Sequence, residues 1–153
     1  MNKNYNGQQT GRRLIRYGIL LFFLGLLSGL IVPMLANPRL GLSSHLEGVM
    51  NGTFLVVLGL IWPRLRLSQP ILTVTFWLSI YGTYTNWATT LAAAALGAGQ
   101  SMMPMAAAGY MGTPLQETII KFGLTSMAIA ILVTCVIVLW GLRGNDDPAS
   151  AIK

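Results

Sequence analysis

Four stretches of the chain are long, apolar and nearly free of charge: Leu14 to Ala36, His45 to Trp62, Ile71 to Leu96 and Leu115 to Leu142. A helix needs roughly 20 such residues to cross a hydrocarbon core of about 30 Å. The pattern predicts an all-α integral membrane four-helix bundle. Residues 1–153 then form a single membrane domain, with tails at 1–13 and 143–153. A cleaved secretory signal fits the first stretch poorly. Its apolar run is too long, it ends in an Asn37-Pro38-Arg39 turn, and Ala36 offers no small-x-small site.

Capping chemistry predicts where two helices start. Ser44 followed by Glu47, and Thr113-Pro114 followed by Gln116, both fit a box in which a hydroxyl and the residue three later satisfy the first free backbone donors. Between the third and fourth stretches, residues Gly97 to Gly112 are rich in Gly, Ala and Met and carry no charge. A connection of that length is more often functional than idle. It has room for a short interfacial helix around Met105 to Ala108, and Met102, Met103 and Met105 read as apolar filling rather than as a gate.

Composition agrees with a membrane solvent: 54% of residues are hydrophobic and only 9% charged, against about 25% charged in soluble domains. The net charge of +6 would point to nucleic acid in a soluble protein, but here the cations flank apolar runs instead of forming a stripe, so nucleic acid is not an expected partner. Lys3, Arg12, Arg13, Arg16, Arg64, Arg66, Arg143 and Lys153 fall on one side of the spans, and only Arg39 and Lys121 on the other. That asymmetry places both termini in the cytoplasm, N-in and C-in, across a bacterial plasma membrane. Tyr17, Trp62 and Trp140 then fall at cytoplasmic helix ends, where aromatic rings anchor at the headgroups. The single Cys135, inside the last span, excludes a disulfide framework and reads as a small core residue.

Polar side chains inside a bilayer are costly, so their positions carry the functional signal. The second span holds His45, Glu47, Asn51 and Thr53, and the third holds Ser79, Tyr81, Thr83, Tyr84, Asn86, Thr89 and Thr90. At ~1.5 Å per residue Asn51 lies about 9 Å below His45, and Asn86 lies roughly 22 Å above Ile71. The three are therefore expected to share a polar pocket in the outer half of the membrane. Ser79, Thr83, Asn86 and Thr90 are spaced to line one helix face.

Each residue also has a plainer reading. His45 can be an interfacial imidazole, Glu47 a cap, Asn51 and Asn86 interhelical glue, and the threonines can bond back to their own helix. Gly48, Gly52 and Gly59 follow His45 on its helix face and leave a strip without side chains. That strip suits close helix packing, or a planar cofactor such as haem ligated by His45 and lying against the glycines. With one histidine, no aspartate in a span and no phosphate-binding loop, most familiar catalytic sets are excluded.

The stretch Ala36 to Arg66, ANPRLGLSSHLEGVMNGTFLVVLGLIWPRLR, resembles the membrane-bound hydroxylaminobenzene mutases, and the four-span plan extends the likeness over most of the chain. The resemblance implies an isomerase that converts an aryl hydroxylamine to a 2-aminophenol without net redox change, a step of aromatic catabolism. A more distant similarity is to styrene oxide isomerase, a trimeric four-span protein with ferric haem as Lewis acid. Its histidine, five intervening residues and Asn-Gly recur as His45, Asn51 and Gly52. Its third-helix aspartate and tyrosine have no clear counterparts, Thr90 standing where the tyrosine would fall.

By that resemblance His45 is the axial ligand of haem b and Asn51 helps orient the substrate; the glycine spacing then sets Gly48 and Gly52 against the cofactor, and Arg39, on the same side as His45, is a candidate partner for a propionate. Asn51 and Asn86 would hydrogen-bond the substrate's polar group, and Tyr84 with Trp87 would face its ring. The protein would be a homo-oligomer, with a trimer as the implied form. Two other classes remain open on sequence: a haem module that passes electrons without turnover, and a cofactor-free transport or scaffold subunit. A six-coordinate redox-active spectrum would mark the first, and absence of a Soret band the second.

Overall fold

The computed structural model describes residues 3–143, with side chains from Gly7 onward. Lys153 and the rest of the tail from 144 lie outside the described residues, as does the side chain of Lys3. The described chain is helical throughout, without strands: α1 (Lys3–Ile31), α2 (Pro38–Ile61), α3 (Gln69–Leu96), a short α4 (Pro104–Ala107) and α5 (Pro114–Gly141). Single 3-10 turns, Val32–Met34 and Trp62–Arg64, follow α1 and α2, each with proline at its centre. Proline cannot continue the i to i−4 bonding, so the helices stop there.

Three segments are long and apolar enough to cross a membrane: Gly7–Met34, Pro38–Arg64 and Pro114–Gly141. α3 matches them in length at 28 residues, but its run of Ser, Thr, Tyr and Asn leaves it less apolar. The long helices pack as a row rather than as a closed bundle. α1 lies along α2, α2 along α3, and α5 chiefly along α3, with only a minor contact between α1 and α3.

Two starts are decided by caps. Thr113 and Gln116 form the expected reciprocal box at α5. The box at Ser44 and Glu47 is not formed. α2 begins seven residues earlier than the predicted His45, because Asn37 accepts from the N–H groups of Arg39 (3.0 Å) and Leu40 (3.2 Å) and Pro38 supplies the first helical residue. An Asn cap followed by Pro was present in the sequence, and outweighs the Ser-x-x-Glu pattern.

Apolar clusters close the two ends. At the arginine-rich end Leu14, Leu21, Leu55, Leu58, Trp62, Leu65 and Phe76 pack together. Trp62 is 2% exposed and meets Phe76 edge-on at 6.4 Å. It is therefore a core residue and not the headgroup anchor its position predicted. At the other end Leu40, Ala93, Ala94, Ala98, Ala107, Ile120 and Leu124 form a second cluster.

The loop between α3 and α5 is drawn over that second cluster. It contains α4, close to the helix expected at Met105 to Ala108. Asn37 Nδ2 donates to Ala107 O at 2.9 Å. Glu117 accepts from the backbone N–H groups of Gly99 (2.7 Å), Ser101 (3.0 Å) and Gly112 (3.1 Å). Met103 packs on the cluster, as filling, whereas Met105 is exposed.

Candidate active site

Between the two apolar ends lies the polar middle of α2, and its two flanks differ. Toward α1 the contact is a ladder of glycines running antiparallel. A Cβ on Gly11 would meet Gly59 O at 2.6 Å, one on Gly18 would meet Gly52 O at 2.7 Å, and one on Gly48 would meet Gly25 Cα at 2.4 Å. Backbones approach this closely only where neither helix carries a side chain. The glycine strip is therefore filled by α1, which corrects the expectation that Gly48 and Gly52 lie against a planar cofactor.

His45 occupies the next position in that ladder, opposite Gly29, where a Cβ would come within 2.7 Å of its Nδ1. His45 Nδ1 lies 2.8 Å from Gly25 O. A carbonyl can only accept, so Nδ1 is the donor in this contact. Ser28 Oγ donates to the same carbonyl at 2.8 Å, and Trp87 Nε1 donates to Ser28 Oγ at 3.4 Å. The imidazole is thus oriented from behind by backbone, in the way that metal-ligating histidines are.

In front of His45 opens a groove of about 660 Å³ lined by Phe23, Leu27, Leu30, Pro33 and Leu42. With Nδ1 on a backbone carbonyl, Nε2, which has no partner among the described residues, is the ring nitrogen that an axial haem ligand would use, and the groove beside the ring is apolar. The residues present fit that group. Among the described residues no cluster of three or more His, Cys, Asp or Glu could hold a bare metal ion. Arg39 is exposed in the first turn of α2 and does not line the groove.

The α3 flank is built from side chains. Glu47 Oε2 accepts from Asn51 Nδ2 at 3.2 Å and from Asn86 Nδ2 in a short hydrogen bond. Asn51 and Asn86 meet as predicted, but through a carboxylate that the sequence reading placed at a helix cap. Membrane depth alone could not show this, because it ignores which side of the helix a residue faces. His45 and Glu47 are two residues apart, hence about 200° apart around α2, and the expected common pocket is divided between two flanks. Exposed Leu46 and Met50 lie between them.

The third-helix face turns inward as predicted: Ser79, Thr83 and Thr90 are buried. Ser79 and Thr83 satisfy their hydroxyls on α3 carbonyls at 2.8 and 2.7 Å, the plainer of their two readings. Tyr84 does not stand free for a substrate ring, since its hydroxyl donates to Tyr17 O at 2.9 Å and bridges α3 to α1. Trp87 packs over Gly48 and the arginine-end cluster.

Comparison with known proteins places these features in a family. The family model described as styrene oxide isomerase matches residues 10–143. Hydroxylaminobenzene mutase HabB of Ectopseudomonas oleovorans is 55% identical over 145 residues, covering 91% of this chain and 88% of that protein. Hydroxylaminobenzene mutase HabA of the same organism is 45% identical over 125 residues, covering 82% of this chain and 93% of that protein. No solved structure matches. The chain belongs to the styrene oxide isomerase family, within which it is similar to the hydroxylaminobenzene mutases, and it is an isomerase.

Proposed function

We propose that the protein is a hydroxylaminobenzene mutase, converting aryl hydroxylamines to 2-aminophenols by moving a hydroxyl from nitrogen to the ortho ring carbon. The 55% identity over most of both chains supports the reaction, and His45, held through Nδ1 on Gly25 O, supports the cofactor. His45 would hold haem b through Nε2, with the apolar groove against the macrocycle. When bound, that haem supplies a ferric Lewis acid that weakens the N–O bond. Asn51 and Asn86 have their amide N–H groups on Glu47, so their carbonyl oxygens are left to accept from the substrate's N–H or O–H.

α3 is proposed as the fourth span, with both termini in the cytoplasm of a bacterial cell. The arginine-rich end supports this. Arg66 N donates to Gly141 O at 2.9 Å, which gathers the turn after α2 and the end of α5 at one membrane face. The two flanks of α2 support a homo-oligomer, because one chain does not bring His45 and Asn51 around one small substrate. A head-to-tail contact that sets one copy's His45 flank against another's Glu47 flank closes into a ring, and we take that ring to be a trimer.

The test is to incubate detergent-purified protein with phenylhydroxylamine and follow 2-aminophenol by chromatography, alongside the absorption spectrum. Product together with a Soret band that shifts on addition is expected. Product without a Soret band removes the haem from the proposal, and a band without product overturns the mutase assignment in favour of an electron-transfer module.

A further inference from the structure

Glu47 is a carboxylate in the third turn of an apolar helix, a placement that is retained inside a membrane only with partners and a task. Its partners are unequal. Both amides, Asn51 and Asn86, bond Oε2, and Oε1 has no hydrogen bond among the described residues. Oε1 is also not sealed: among the described residues the only buried, unpartnered side-chain oxygen or nitrogen is Gln100 Oε1. One oxygen is anchored by two amides and the other is left accessible.

The reaction needs such a group. Phenylhydroxylamine and 2-aminophenol contain the same atoms, yet the N–O and one ring C–H bond are broken while a C–O and an N–H bond are made. The hydroxyl leaves nitrogen with the N–O electron pair and attaches to the ortho carbon through a pair of its own, which gives a neutral ring imine. Loss of the ortho proton returns the C–H pair to the ring, and the nitrogen must gain a proton. Nitrogen is reduced and the ring carbon oxidised within one molecule, so no external reductant is involved.

The geometry points to Glu47 as the proton carrier of this step: Oε1 takes the ortho proton and returns a proton to nitrogen, while Asn51 and Asn86 hold Oε2 still. The carboxylate is regenerated at each turnover. This inference rests on the mutase reading, and it adds a catalytic residue that neither the spacing of the sequence nor the family resemblance assigned.

The experiment compares the wild-type protein and Glu47→Gln, each with phenylhydroxylamine and with its ortho-deuterated form. Glutamine keeps the shape and loses the base. The expected result is a variant that purifies at wild-type size and haem content, with kcat reduced at least ~100-fold, KM changed less than threefold, and an ortho-deuterium isotope effect larger than the wild type's. Activity within about threefold of wild type and an unchanged isotope effect would overturn the proposal. Should Glu47→Gln fail to fold, Glu47→Asp gives the same decision: an increased isotope effect supports the proposal and an unchanged one overturns it. Absence of 2-aminophenol from the wild-type protein is a separate failure, that of the mutase reading itself.

Discussion

The two flanks of α2 solve the same problem with opposite means. The α1 flank is glycine against glycine, with backbone so close that shape alone decides the pairing, and His45 bonds only a carbonyl there. The α3 flank is carboxylate against amide, with one carboxylate oxygen left over. The first fixes the His45 imidazole between two closely packed backbones, and the second leaves one carboxylate oxygen without a partner among the described residues. Stability and chemistry are therefore expected to separate between the flanks, and substitutions on each flank test that division.

The largest effect is expected at Gly48→Leu. The first added carbon would overlap the α1 backbone, so the cost exceeds the roughly 3 kcal/mol of ordinary overpacking. Size-exclusion chromatography in detergent should show aggregate in place of a monodisperse peak. Gly29→Ala should act more finely. Its methyl would press on the imidazole at Nδ1 and move His45 without closing the helices apart, and displacement of a ligand by ~1 Å lowers turnover about 100-fold. A normal thermal melt with that loss is the expected pair of readings.

On the α3 flank the balance should reverse. Asn86→Leu removes one interhelical bond, worth about 0.6 kcal/mol in membranes, so the melting midpoint moves by a few degrees at most. Turnover should fall at least ~10-fold, because the carboxylate loses an anchor and the substrate an acceptor. If stability fell while turnover persisted, Asn86 would be glue alone. The smallest catalytic effect belongs to Glu117→Gln, outside both flanks. A neutral amide holds the loop's N–H groups less well than a carboxylate does, so faster proteolysis between Gly97 and Gly112 is expected with turnover within about threefold of wild type.

The sequence made the helices legible because a bilayer imposes one length and one composition on each span. It also showed the α5 cap, and it put His45, Asn51 and Asn86 at similar depth. It did not show rotation around the helix axis. The glycine strip suits a helix contact or a ligand bed, and only the matching glycines of α1 decide between them. Glu47 was assigned to a cap because Ser44 stood three residues before it, while Asn37-Pro38 in fact begins the helix and leaves Glu47 facing α3. Trp62 carried the pattern of an interface anchor, yet its edge-on contact with Phe76 makes it core. In each case a local motif was present and a partner on another helix determined its use.

If His45 holds the group on which the isomerase depends, the wild-type protein and His45→Ala must differ in both cofactor and turnover. Both would be purified identically and read for Soret absorbance and for 2-aminophenol formed from phenylhydroxylamine. The account predicts that the variant keeps the wild-type elution position and loses both the Soret band and turnover. A variant with full haem and full activity would contradict it.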